Sequence, residues 1–261
     1  MMNYVVLPFL TAVQFLTRLP VPGGNKPAGP EVFQRVVIYL PLVGLLIGAI
    51  TALVFGSASL VFNPLLAAAI AVAVEMLVTG AFHEDAVADY FDAFGGGWSK
   101  EDILRILKDS RIGSYGASAL IAALLLRIFA MASLEEQPYL VILASAALGR
   151  LATVLSIRWL KPIAAREGLA KEAGHQARWR DVLLAGLLIL PMLLVWAWVM
   201  PLKAALSLLC AAGATLLVLH KIRTKIGGMT GDCLGMICYL TQVMVLLVGA
   251  ANLQRLNWLG Y

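Results

Sequence analysis

The sequence predicts an all-α fold: a polytopic integral membrane bundle of about seven transmembrane helices, preceded by an N-terminal interfacial or partly inserted helix. Three observations carry this. Hydrophobic residues fill 61% of 261 positions and charged residues 13%, against roughly a quarter charged in soluble domains. The apolar residues fall into runs of about 17 to 22, long enough to cross some 30 Å of hydrocarbon as helix, and a backbone in lipid must satisfy its own polar groups. Finally, the basic residues crowd into three of the connections.

The opening MMNYVVLPFLTAVQFLTRLP lacks the basic start and cleavage pattern of a secretory signal, so it is expected to be retained. Residues 4–17 are short for a span and contain Pro8, which favours an interfacial helix. The expected spans are 36–56, 62–82, 114–132, 139–157, 182–200, 203–220 and 236–253. Their connections alternate between short and long. The long ones, 83–113, 158–181 and 221–235, carry Lys100, Arg105, Lys108 and Arg111, then Arg158, Lys161, Arg166, Lys171, Arg178 and Arg180, then Lys221, Arg223 and Lys225. The positive-inside rule puts them in the cytoplasm together with the N-terminus. The C-terminus then lies outside, with Trp258 and Tyr261 as interface anchors. The net charge of +5 reports this orientation and not nucleic-acid binding, since no basic run is interleaved with aromatics. No soluble domain, linker or fixed-period repeat interrupts residues 1–261, which read as one membrane catalytic domain. Cys210, Cys233 and Cys238 lack paired zinc spacing and read as free thiols.

The densest chemistry follows the second span, in HEDAVADYFDA. If 83–93 continues that span as helix, Asp85, Asp89 and Asp92 lie within about 60° of arc, with Glu84 about 100° aside. Two carboxylates about 6 Å apart at an effective dielectric near 20 repel by roughly 3 kcal/mol, so the stripe calls for a counter-charge. A hard cation, Mg²⁺ or Mn²⁺, suits an all-oxygen set; a solvated loop neutralised by nearby Lys and Arg is the alternative. Gly95, Gly96 and Gly97 then stop the helix and leave N–H groups for a phosphate. Ser99 is placed to cap a short amphipathic helix over 100–109. That helix delivers KDSRIGSYG. In it Lys108 and Arg111 suit phosphate oxygens, Asp109 a metal or a base role, and Ser110 and Ser114 hydrogen bonding. In KIRTKIGGMTGDCLGM, Gly231 and its neighbouring glycines allow close backbone approach, and Asp232 is the loop's one acid. Three ionisable residues fall inside spans: Glu75, Arg127 and Arg150. Such groups face a bundle interior with a partner, as structural ion pairs or as substrate contacts; Arg150 is the one within reach of a polar cavity. His175 reads as a surface residue, and His83 adjoins the acidic stripe with its role open.

Taken in order, FLTRLPVP, YLPLVGLLIGA at 39–49, HEDAVADYFDAFGGG, KDSRIGSYG at 108–116, the GR at 149–150 and GGMTGDCLG at 227–235 resemble the adenosylcobinamide-GDP ribazoletransferases, or cobalamin synthases, over nearly the whole chain. That family's acidic motif usually reads H-x-D-G-x-A-D-x-x-D-G. Here Ala86 and Ala93 replace its two glycines, and Tyr239 and Gln242 occupy the region after the GD motif in which the family commonly carries glutamates. The resemblance implies a Mg²⁺-dependent transfer of adenosylcobinamide-GDP to α-ribazole or its 5′-phosphate, with GMP leaving, in a bacterial inner membrane. On this expectation Glu84, Asp85, Asp89, Asp92 and Asp232 hold one or two Mg²⁺. One carboxylate takes the proton of the attacking hydroxyl, and Lys108 and Arg111 hold the GMP phosphate. Other cobalamin-assembly enzymes and a second copy of the chain join the bilayer as expected partners. Two other classes are weighed. A CDP-alcohol phosphotransferase also uses a helical aspartate stripe, but its four-aspartate pattern is absent. A secondary transporter predicts acids and broken helices near the midplane in repeated halves.

Overall fold

A computed structural model describes residues 2–22, 30–163 and 177–253. Arg166, Lys171, His175, Trp258 and Tyr261 lie outside the described residues. Ten helices follow in order: α1 (Met2–Leu16), α2 (Pro30–Ser59), α3 (Pro64–Thr79), α4 (Phe82–Gly96), α5 (Lys100–Ile106), α6 (Ser114–Ala132), α7 (Pro138–Trp159), α8 (Trp179–Val199), α9 (Pro201–Ile226) and α10 (Gly231–Ala250). Six are long and apolar enough to cross a membrane, and α3 with α4 makes up to a seventh as a bent pair. Each predicted span thus falls on a helix, and α1 is a shorter apolar helix packed against α2.

The centre is built from α2, α7 and α10. Their close approach rests on small residues, as expected where lipid is as apolar as the side chains and packing must hold the helices together. A Cβ on Gly44 would stand 2.6 Å from the Ala146 carbonyl oxygen, and one on Gly149 would stand 2.7 Å from that of Cys238. Around this centre, α8 and α9 turn Leu183, Leu187, Leu194, Trp198, Leu209 and Leu217 outward, the lipid-facing pattern of a bundle's rim.

One end gathers the long connections. Ile163 N–H donates to the Met229 carbonyl at 3.1 Å and Met229 N–H to that of Lys161 at 2.9 Å, tying the segment after α7 to the turn between α9 and α10. The Lys221 ammonium lies 5.9 Å from the Tyr90 ring centroid, so the end of α4 belongs to the same face. At the other end Lys203 pairs with Glu136 at 3.2 Å.

The acidic segment does not continue the second span. α3 stops at Thr79, and α4 leaves at 90° to it. Gly80 (φ 69°) and Ala81 (φ 55°) are both left-handed, and both of their N–H groups donate to the Met76 carbonyl. The freed Val78 carbonyl accepts from Arg18 N–H at 2.7 Å. The helix end is therefore satisfied from α1's side, as irregular backbone inside a membrane protein must be. Beyond the break α4 runs antiparallel to α6: Glu84 meets Arg127, and Asp92 meets Gly113 and Gly116. At 1.5 Å per residue Arg127 lies about 20 Å along α6 from Ser114. The start of α4 is consequently well removed from the loop-bearing end, where Asp92 lies, with Glu84 buried and Asp85 exposed.

A left-handed alanine costs roughly 1 kcal/mol that glycine does not incur. Ala81→Gly is expected to raise the apparent melting temperature in detergent and Gly80→Ala to lower it; the reverse order would mean that the two residues do not form the break.

Candidate functional site

The polar interior starts with a buried ion network. Glu75 (α3), Glu84 (α4) and Arg127 (α6) are 3%, 3% and 1% exposed. Arg127 Nη2 lies 2.5 Å from Glu75 Oε2, and Nη1 donates to Glu84 Oε1 at 3.0 Å. Its guanidinium carbon sits 5.4 Å from the Tyr239 ring centroid. Thr51 donates to Glu75 Oε2 at 2.7 Å, and Gln242 Nε2 to Glu75 Oε1 at 3.1 Å. Arg150 Nη1 donates to Gln242 Oε1 at 3.1 Å and to the Ala146 carbonyl at 3.2 Å. Two carboxylates thus face two guanidiniums, which is how charge is tolerated in a medium that cannot solvate it. Glu84, expected at a metal, gives its Oε1 to Arg127, while its Oε2 has no hydrogen-bond partner among the described residues. The network also resolves the three ionisable span residues: Glu75 and Arg127 are structural partners, and Arg150 reaches Glu75 only through Gln242.

A cavity of about 220 Å³ lies beside this network, at the start of α4. Its wall brings together Asp85 and His83 from α4, Arg150 and Thr153 from α7, and Gly231 and Asp232 from α10. Phe15, Leu16 and Leu40 close it with apolar surface. Asp232 stands in the first turn of α10, whose start is fixed by Thr230: Cys233 N–H donates to the Thr230 hydroxyl at 3.3 Å. Helices α4 and α10 touch where a Cβ on Gly235 would collide with the Ala86 methyl. The alanine that replaces a family glycine is therefore accommodated by a glycine opposite. Ala93 belongs to the apolar cluster that contains Tyr90, Phe94 and Ile103, so its methyl turns away from the site.

The rest of the expected site is dispersed. Asp92 is a helix cap: its carboxylate accepts from Gly113 N–H at 2.7 Å and Gly116 N–H at 2.8 Å, the free donors at the start of α6. A Cβ on either glycine would strike that carboxylate, which accounts for the glycines of IGSYG, and both oxygens of a carboxylate expected at a metal are engaged by backbone N–H groups. Asp89, half-buried between Asp85 and Asp92, lines neither this cavity nor the next. The glycine run does not cradle an anion at its last residue: Gly97 N–H donates to the Ala93 carbonyl at 2.9 Å, and a Cβ there would meet Ile103 at 2.6 Å. Gly97 lets α5 fold back onto α4. Gly95 packs on the Tyr115 ring. Ser99 caps α5 as expected, accepting from Asp102 N–H at 3.1 Å, although the helix ends at Ile106 and not at 109.

A second, shallower recess of about 440 Å³ at the loop-bearing end is lined by Asp92, Gly96, Asp109, Arg111, Gly113 and Ser114. Lys108 and Ser110 are exposed and belong to neither wall. Arg111 is engaged in a two-pronged pair with Asp109, Nε to Oδ1 at 2.9 Å and Nη2 to Oδ2 at 2.6 Å. That pairing holds the Asp109 carboxyl down at about 2, so it stays ionised at working pH and is a weak proton acceptor. Among the described residues no three Asp, Glu, His or Cys side chains converge as a metal cage. Asp85 and Asp232 are two hard-oxygen donors on one cavity, and Mg²⁺ ordinarily takes one or two carboxylates plus substrate phosphates and water. Their chemistry fits such an ion. Thr153 escaped the sequence reading, and Gln242 entered it only as a departure from the family pattern; the signal for a buried role was a glutamine inside an otherwise apolar span.

Removing Arg127 leaves two carboxylates buried without their cation, a loss of about 3–5 kcal/mol. Arg127→Ala is expected to lower the apparent melting temperature far more than Glu84→Gln, and equal melting of wild type and Arg127→Ala would dissolve the network's structural role. Because Arg111 keeps Asp109 ionised down to about pH 2, a group that low contributes no titration near neutrality. Asp109→Asn should therefore leave the shape of the pH–rate profile between about pH 5 and 8 unchanged; a displaced acidic limb would restore Asp109 as a working base.

Comparison with known proteins completes the picture. The family model for cobalamin-5-phosphate synthase matches residues 8–250. An adenosylcobinamide-GDP ribazoletransferase of Ralstonia pickettii (strain 12J) is 41% identical over 246 residues, spanning 90% of this chain and 92% of that protein. One from Bradyrhizobium diazoefficiens is 40% identical over 253 residues, 95% of this chain and 94% of its own. One from Leptospira biflexa is 30% identical over 274 residues, 95% and 98%. No solved structure matches. The chain belongs to the cobalamin-5-phosphate synthase family.

Proposed function

From its place in the cobalamin-5-phosphate synthase family, we propose that this membrane enzyme joins adenosylcobinamide-GDP to α-ribazole or α-ribazole 5′-phosphate, releasing GMP. The reaction is assigned to the cavity between α4, α7 and α10, not to the recess at α5. The observation that carries the assignment is the meeting of Asp85, Asp232 and Arg150 on one wall: two carboxylates and a guanidinium are what a diphosphate transfer needs for positioning and charge compensation. A ribose hydroxyl of the acceptor attacks the phosphorus on the cobinamide side in line. The new O–P bond forms as the bridging P–O bond breaks, its electron pair leaves with GMP, and the hydroxyl proton passes to a carboxylate of the cavity. Mg²⁺, with Mn²⁺ as a substitute, would be held by Asp85 and Asp232 and would supply charge neutralisation to the diphosphate.

Arg150 draws on a diphosphate oxygen in the same cavity, and the apolar Phe15, Leu16 and Leu40 keep bulk water from competing as nucleophile. At about 220 Å³ the cavity is smaller than the roughly 300 Å³ and more that encloses a drug-sized ligand. It takes the diphosphate while the corrinoid stays at the loop-bearing end. There Lys108 and the exposed edge of the Asp109–Arg111 pair would attract an anion, a lesser part than holding the leaving phosphate. The three basic connections on that end support a cytoplasmic orientation in the bacterial inner membrane. Coupled transport is disfavoured because the broken helix occurs once among the described residues, whereas a repeated architecture would need it in both halves.

Purified protein in detergent, given adenosylcobinamide-GDP and α-ribazole, is expected to release GMP with Mg²⁺ and to stop when the ion is chelated. Asp85→Asn should lower kcat/KM by roughly 100-fold or more, a metal-ligand loss, and Asp92→Asn by less than about tenfold, a capping loss. Equal losses would return Asp92 to the chemistry, and no GMP under either condition would sink the reaction.

A further inference from the structure

The two buried arginines are treated differently by their surroundings. Arg127 meets two carboxylates and is neutralised. Arg150, 1% exposed, makes no direct ion pair among the described residues and feels Glu75 and Glu84 only at longer range: its Nη1 is taken by the Gln242 amide oxygen and a backbone carbonyl. Its Nε and Nη2 have no hydrogen-bond partner among the described residues. Those two N–H groups share one edge of the guanidinium, the parallel fork that matches two oxygens of a phosphate or carboxylate. The residue lines the cavity that also holds Asp85 and Asp232. A buried fork of this kind without a partner is costly to fold, and a ligand that satisfies it recovers the loss.

The orientation of Gln242 is decided by its neighbours. A carboxylate only accepts and a guanidinium only donates. Nε2 must therefore face Glu75, 3.1 Å away, and Oε1 must face Arg150, 3.1 Å away. Glu75 thereby points the amide oxygen, and the amide oxygen points the arginine. A glutamate at this position would grip Arg150 as well but would cancel its charge.

We propose that Gln242 is a positioning residue for oxyanion binding: it holds Arg150 by Nη1 without neutralising it, so that the Nε–Nη2 fork and its full charge stay available to a diphosphate in the cavity. This deepens the proposed transfer and rests on that reading only for the identity of the diphosphate. The site itself is tested with inorganic pyrophosphate and Mg²⁺, by titration calorimetry on the full chain in detergent, alongside thermal melting. Gln242→Glu is expected to raise the pyrophosphate Kd at least tenfold while the apparent melting temperature stays equal or rises, a divergence that a merely structural role would not produce. Arg150→Lys should weaken binding to a similar degree, because an ammonium lacks the fork. If Gln242→Glu does not yield folded protein, Gln242→Met carries the test, and the same loss of pyrophosphate affinity is expected in whatever fraction is folded. Wild-type affinity in the tested Gln242 variant, or no pyrophosphate binding by the wild type, would overturn the proposal. Absence of GMP release from wild type with intact, Gln242-dependent pyrophosphate binding would defeat the transferase reading alone; GMP release with Gln242-independent binding would defeat this inference alone.

Discussion

The structure depends on Arg127 lying between Glu75 and Glu84. An arginine 1% exposed inside an apolar bundle is tolerable only with compensating charge, and the two acids come from helices on either side of the break at Gly80 and Ala81. The ion network therefore clamps a joint. It fixes α3 against α6 through Glu75 and the first turn of α4 against α6 through Glu84. The 90° turn, unfavourable for a left-handed alanine taken alone, becomes a defined feature. From that turn α4 sets out, and Asp85, the next residue after Glu84, lines one cavity with Asp232 from the first turn of α10.

Much of the fold was legible because lipid imposes simple rules. Lengths near twenty apolar residues locate the spans, and the predicted 114–132 coincides with Ser114–Ala132. The gathering of long, basic connections at one end was readable from their charge alone. The break was not, since Gly80–Ala81 within an apolar run looks like ordinary helix. Its cause is non-local: the Val78 carbonyl is satisfied by Arg18 from the segment that follows α1. Helical angle put Asp85, Asp89 and Asp92 on one stripe, yet the acids of this segment meet different neighbours. Asp92 is claimed by α6 and Glu84 by Arg127, partners 21 to 43 positions away. In the same way Arg111 looked available for phosphate until its two-residue neighbour Asp109 proved to hold it.

The departures from the family pattern now have physical content. Ala86 fits because Gly235 leaves room for its methyl, so α4 and α10 stay close enough for Asp85 and Asp232 to share a wall. In the region after the GD motif in which the family commonly carries glutamates, this chain has Tyr239 and Gln242. In this chain the carboxylates of the buried network sit on α3 and α4, as Glu75 and Glu84, and Gln242 joins it as a neutral amide.

The central claim is that the first turn of α4 and the first turn of α10 make one chemical site. The most direct measurement is a double-mutant cycle on GMP release with Asp85→Asn, Asp232→Asn and both together. Residues acting as a unit are strongly non-additive. The account predicts that the double variant is about as slow as the slower single one. Losses that multiply, with each variant reducing the rate by the same factor in the presence or absence of the other, would place the two aspartates in separate roles and contradict it.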